Sequence, residues 1–133
     1  MHITLAMANI LYIDQELCYH TTFETLAKKA FVGSISVQHA YSLDEGLGLY
    51  EASLDHGKTV DAIFVDVPCR ESTAVSELRK SAPHLPIILV SSNMGKLLPE
   101  DRRNASVLLE KPYAYKDVRI ICRALLPKGF VYN

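Results

Sequence analysis

Cysteine, net charge and long apolar runs are all scarce in this chain, and each absence closes off a class of protein. Among 133 residues only Cys18, Cys69 and Cys122 are cysteines, widely spaced and in no C-x-x-C pair. That excludes a disulfide framework and a cysteine-built zinc site, and it fits a reducing cytosol. The five histidines, His2, His20, His39, His56 and His84, show no ligand spacing either. No apolar stretch approaches the length of a membrane span. Met1–Ala8 is mildly apolar but lacks the basic start and full hydrophobic region of a signal peptide. Fourteen Lys and Arg oppose fifteen Asp and Glu, so no basic field exists to attract nucleic acid or an anionic membrane. Arg102-Arg103, the one arginine pair, reads as a solvated helix end. The expected location is cytoplasmic.

What remains is an ordinary globular composition, 49% apolar and 22% charged, in a chain of the size of one domain with its own core. The domain is expected over residues 7–127. Met7-Ala8-Asn9 reads as a natural start, which makes 1–6 an N-terminal extension and 128–133 a short tail.

Short β-like runs alternate with amphipathic stretches, the pattern of a parallel sheet covered by helices on both faces. Ile10–Ile13 is continuously apolar, as a strand buried on both sides should be. Leu17, Phe23, Leu26, Ala27, Ala30 and Phe31 recur at near-helical spacing, and Gly33 suits the helix stop. Ile35, Val37 and His39 alternate as a second strand. Ser42, with Glu45 three residues on, has the form of a capping box, and Leu43, Leu47, Tyr50 and Leu54 give the helix that follows its buried face. Gly46 and Gly48 lie inside that helix with no strand immediately before them, so they do not form a dinucleotide loop. Val60–Val65 is the third strand. Ser72 or Thr73 caps a helix carrying Val75, Leu78 and Ala82. Pro86–Val90 is the fourth strand, 95–104 a weak element broken by Pro99, and Val107–Leu109 a short fifth strand. Tyr115–Leu126 is the last helix, with Tyr113 and Tyr115 as packing residues at its start. The fold class is α/β, a (βα)5 doubly wound parallel sheet.

The polar residues that close the strands carry the chemistry. Asp14 ends Ile10–Ile13, Asp66 ends Ala62–Val65, Ser91 ends Ile87–Val90, and Lys111-Pro112 follows Val107–Leu109. In an open parallel sheet the carboxyl ends of neighbouring strands meet at one edge, where ligands bind. Two carboxylates, a hydroxyl and an ammonium gathered there would make a pocket for a divalent cation and a phosphoryl group. The plain alternative for Asp14 and Asp66 is helix capping at strand-to-helix turns; for Ser91 it is a turn residue, with Ser92 competing for its role; for Lys111 it is a surface lysine.

These four positions, in this order, resemble the receiver domain of two-component response regulators over roughly residues 9–126. Ile-Leu-Tyr-Ile-Asp14-Gln15-Glu16 is similar to that family's first strand and acidic cluster, Asp66 to its phosphoacceptor, Ser91 to the Thr/Ser of its fourth strand, and Lys111-Pro112-Tyr113 to its Lys-Pro-aromatic. The resemblance implies the flavodoxin-like strand order 2-1-3-4-5. It also implies Mg²⁺ on Asp14 and Asp66, with Glu16 or Gln15 as further ligands, and Lys111 and Ser91 beside the transferred group. A sensor histidine kinase or phosphotransfer protein would be the donor and a downstream protein the target, as in bacterial phosphorelay signalling, so the chain would be a phosphoacceptor rather than a turnover enzyme.

The departures from the family pattern are specific. Gln15 stands where a second acid is usual, so Mg²⁺ binding is expected to be weak and Gln15→Asp to tighten it, while Glu16 is expected to point elsewhere. Val67-Pro68-Cys69-Arg70-Glu71 lacks the usual Met-Pro and Gly, and Cys69 reads as a plain loop cysteine. Leu108 replaces the switching Tyr or Phe. A degenerate receiver that binds a partner without phosphorylation is therefore the alternative. A flavin carrier fits poorly, because Gln15-Glu16-Leu17-Cys18 is no cradle for a flavin phosphate.

Overall fold

The computed structural model describes residues 7–31, 34–66 and 74–126. The extension at 1–6, the stop at Gly33, the Val67–Glu71 segment with Cys69, the cap at Ser72 or Thr73 and the tail at 128–133 lie outside the described residues. Five strands, β1 (Ala8–Ile13), β2 (Ile35–Ala40), β3 (Ala62–Asp66), β4 (Ile87–Ser91) and β5 (Val107–Glu110), alternate with five helices. These are α1 (Leu17–Ala30), α2 (Leu43–Asp55), α3 (Ala74–Ser81), α4 (Pro99–Asn104) and α5 (Tyr115–Leu125). The strands form one parallel sheet in the order β2-β1-β3-β4-β5, as the resemblance implied.

The central strands β1, β3 and β4 are buried almost throughout, whereas the edge strands β2 and β5 are mostly half-buried. Side chains alternate across a strand, so each run divides between two cores. Ile10, Tyr12, Phe64, Ile88 and Val90 join Phe23, Ala27, Val118 and Cys122 on one face. Leu11, Ile13, Ile63, Val65, Ile87 and Leu89 join Tyr50, Val75 and Leu78 on the other. A continuous apolar run is what a strand covered on both sides requires.

The helices keep the expected faces, with local differences. Ser42 caps α2, its Oγ accepting the Glu45 N–H at 3.1 Å. Leu54 is 52% exposed; at that turn buried Ser53 faces the sheet and bonds Gln38. Leu17 is also exposed, lying on the buried phase of α1 but one turn ahead of His20, where its packed face begins. The weak element at 95–104 is divided at Pro99, as expected: a 3-10 turn over Met94–Lys96 ends before Pro99, which starts α4, because proline at the first helical position forfeits an N–H that has no intrahelical partner anyway. Gly46 allows α2 to approach β1: a Cβ there would lie 2.3 Å from Ile13 Cδ1, while one at Gly48 would meet nothing.

One tertiary tie has no signature in the sequence. The Arg79 guanidinium, at the end of α3, donates to the carbonyls of Ala82 (3.2 Å), Leu85 (2.7 Å) and Asn104 (2.8 and 3.0 Å). It thereby staples the α3 exit to the end of α4.

Candidate metal and phosphoryl site

The sheet brings the polar strand ends to one edge. The Asp14 N–H continues the β1–β2 ladder to Ala40 O at 3.0 Å, and the Lys111 N–H continues β5 onto Ser91 O at 2.8 Å. Asp66 is the last residue of β3, in register with Val90 of β4. Lys111-Pro112 is a cis peptide.

Three carboxylates surround the Lys111 ammonium. Its Nζ lies 2.8 Å from Asp14 Oδ2 and 3.4 Å from Glu16 Oε1, and it pairs closely with Asp66 Oδ2. It also sits 4.1 Å from the centre of the Tyr19 ring, a cation–π contact. Carboxylate oxygens of Asp14, Glu16 and Asp66 all lie within 4.8 Å of one another. With all four groups ionised, three negative charges face one positive charge, and the excess matches a divalent cation. The donors are hard oxygens, the kind Mg²⁺ takes, so the residues present fit such an ion.

Of the two further candidate ligands, Glu16 is the one that joins the cluster. Its N–H bonds Asp14 Oδ1 at 2.8 Å, and this Asx-type turn bends the chain back so that the carboxylate faces Lys111. Gln15 is exposed and takes no part in the ion pairs. Ser91 is buried at the same edge. Its Oγ accepts the Asn93 N–H at 3.0 Å, which is the turn role, and its hydroxyl proton remains able to donate. Ser92 is exposed.

The members of the cluster differ in exposure. Asp14 is 1% exposed, while the Asp66 side chain, at 16%, is the more accessible. Burial pushes the Asp66 carboxyl up to about 6, against the opposing pull of Lys111 and with some help from the charges of Asp14 and Glu16. It is then largely ionised at pH 7. Burial alone would lower the Lys111 ammonium, but hydrogen bonds and charge from Asp14 and Asp66 outweigh it, and the net shift is upward.

Side chains that sequence patterns passed over hold Asp14 in place. The Tyr12 hydroxyl donates to Asp14 Oδ2 at 2.9 Å and meets the Tyr113 hydroxyl at 2.7 Å. His20 Nε2 lies 2.7 Å from the Asp14 carbonyl, so it carries the proton there. Its Nδ1, 2.7 Å from His39 Nδ1, is then the acceptor for a proton on His39, whose Nε2 faces Glu24 at 3.2 Å. Desolvation lowers the His20 pKa, which keeps the ring neutral. The one available signal was strand alternation, which sets Tyr12 on the same side of the chain as Asp14.

The backbone is similar to that of the Vibrio cholerae chemotaxis protein CheY4, with a TM-score of 0.71 and 19% identity over 91% of this chain and 100% of that one. A response regulator receiver domain protein from Clostridium thermocellum gives 0.69 at 22% identity, over 89% and 93% of the two chains. The receiver domain of NtrX from Brucella abortus gives 0.69 at 21%, over 88% and 97%. The fold is that of a response regulator receiver domain. No family model matches the sequence, and no curated protein matches it. In this receiver fold the acidic cluster stands at the edge where open α/β sheets bind their ligands. Among the described residues no helix is long and apolar enough to cross a membrane.

Proposed function

We propose that this receiver-fold chain accepts a phosphoryl group on Asp66 from a histidine kinase or phosphotransfer protein. The single observation that carries the reading is the convergence of Asp14, Glu16 and Asp66 on Lys111 at the carboxyl edge of the sheet. Asp66 is the acceptor because it is the more exposed of the two strand-end aspartates and largely ionised. Its carboxylate oxygen forms the new O–P bond as the P–N bond to the donor imidazole breaks, and the imidazole nitrogen keeps the electron pair. No base is required. Lys111 turns its charge toward a phosphoryl oxygen, and the Ser91 hydroxyl donates a hydrogen bond to the same group. Asp14, Asp66 and Glu16, rather than Gln15, would hold Mg²⁺. That ion supplies positive charge against the repulsion between the carboxylate and the incoming phosphoryl group.

Output passes to a downstream protein by contact or onward phosphoryl transfer. Leu108 is half-buried and packed in the core that includes Leu89, and it has no hydroxyl to reorient. That observation favours a second reading, a phosphorylation-independent binding module in which Lys111 stays paired with the acids. Incubation with Mg²⁺ and acetyl phosphate, followed by intact-mass measurement, separates the two. One phosphate adduct in the wild type and none in Asp66→Ala supports acceptance. No adduct, even with histidine kinases offered as donors, leaves the binding module.

A further inference from the structure

Asp14 is the most enclosed of the three clustered acids, and the bonds around it have a direction. An ionised carboxylate only accepts, so the Tyr12 hydroxyl spends its single proton on Asp14 Oδ2. The Tyr12 oxygen must therefore receive at its 2.7 Å contact with Tyr113, and Tyr113 is the donor. Two hydroxyls from strands at separate places in the sheet, one in β1 and one just beyond β5, thus form a one-way chain that ends on a carboxylate of the acidic cluster. Tyr12 is fully buried and Tyr113 is 6% exposed, and burial raises both phenols, so the two protons stay in place at neutral pH. The Tyr113 ring also packs on Tyr19 at 5.5 Å between centroids, and Tyr19 carries the Lys111 ammonium on its face.

We propose that Tyr12 and Tyr113 are positioning residues for the cation site, their hydroxyl chain fixing the orientation of Asp14 and registering whether the site is filled. The inference rests on the reading of Asp14, Glu16 and Asp66 as cation ligands. On Asp14, Oδ2 is shared by Tyr12 and Lys111, and Oδ1 takes the Glu16 N–H. The carboxylate is thereby held by three partners, two on Oδ2 and one on Oδ1. Without the Tyr12 hydroxyl, Asp14 keeps Lys111 and the turn amide but loses the bond on its core side. Without the Tyr113 hydroxyl, Tyr12 keeps its bond to Asp14 but loses the donor that polarises it. Hydrogen-bonded partners of metal-ligating groups commonly matter by tenfold or more in affinity, so the two variants should differ in degree. A cation held on Asp14 must also alter the electronic environment of the hydrogen-bonded Tyr12 ring, which makes the chain a spectroscopic reporter.

The test titrates the full chain with Mg²⁺, reading affinity by calorimetry and tyrosine absorption in the near ultraviolet. Thermal melting confirms that each variant is folded. Tyr12→Phe keeps the ring and should bind Mg²⁺ about tenfold more weakly and lose most of the absorption change. Tyr113→Phe should bind a few-fold more weakly and shrink the signal. Tyr50→Phe, whose ring belongs to the core on the opposite face, should match the wild type in both. Folded Tyr12→Phe and Tyr113→Phe proteins that bind as tightly as wild type with an unchanged signal would overturn the positioning role alone. A wild type that takes up no Mg²⁺ would overturn the cation reading and this inference together.

Discussion

At the carboxyl edge of the sheet, three carboxylates crowd round Lys111. On the flank between α3 and α4, main-chain carbonyls crowd round Arg79. Both cations are drawn away from water, and desolvation works against both. Around Arg79 the partners are neutral, and each N–H finds an oxygen that would otherwise be left over at a helix end or in a turn. Around Lys111 the partners are charged and too many, so the cation does not relieve all the repulsion. The first arrangement stabilises the fold. The second holds an unresolved charge excess at a fixed place, which is what a site for a cation and a phosphoryl group needs. The two cations differ in whether their partners are in balance or in surplus.

Removing each kind of charge should therefore move stability in opposite directions. Arg79→Ala strands several carbonyls at once and is expected to cost about 2–3 kcal/mol by urea unfolding; a loss under about 0.5 kcal/mol would mean that solvent replaces the guanidinium freely. Asp66→Asn should instead stabilise the metal-free protein at pH 7, by about 1–2 kcal/mol. The displacement of Asp66 from 3.8 to about 6 sets an upper bound of roughly 3 kcal/mol. A destabilised Asp66→Asn would break the comparison.

The pH dependence sharpens it. The folded-state pKa of Asp66 is raised, so its contribution to stability is fully present below about 3.8 and is lost as pH rises through about 6. The advantage of Asp66→Asn over wild type should accordingly shrink toward zero as metal-free samples are taken from pH 7 to pH 4. His20 works the other way: its lowered pKa gives stability that is present above the unfolded value near 6.5 and lost on acidification. Comparing the two proteins at each pH cancels that background. The smallest effect concerns α2. Gly48→Ala meets open space and should raise stability by up to about 1 kcal/mol through helix propensity. Gly46→Ala drives a methyl into Ile13 and should lower it by about 1 kcal/mol once overpacking is set against the same propensity gain. Equal melting temperatures for the two variants would show that Ile13, next to Asp14, yields without cost.

The strands and the polar edge were legible because their signals are local, whereas the strand order came from the resemblance. Ile10–Ile13, Ala62–Val65 and Ile87–Val90 are apolar on both faces, and Asp14, Asp66 and Ser91 end them in chain order. Ser42 announced α2 because an N-cap acts within one turn. Pro99 marked the division of 95–104 because proline ends one helical piece and can start the next. Glu16 was left open between ligand and bystander because its direction depends on a turn closed by Asp14. Arg79 left no trace because its partners are main-chain carbonyls, which every residue has.

From sequence alone came the parallel sheet, the two covering layers and the residue types at its carboxyl edge, since burial periodicity and strand-end polarity are properties of neighbouring residues. Only the tertiary structure decided that Glu16 and not Gln15 faces Lys111, that Tyr113 reaches Asp14 through Tyr12, and that Arg79 closes α3 onto α4. Each of these rests on distances of about 3 Å between groups whose separation along the chain carries no information, so they exist only once the sheet has set its register.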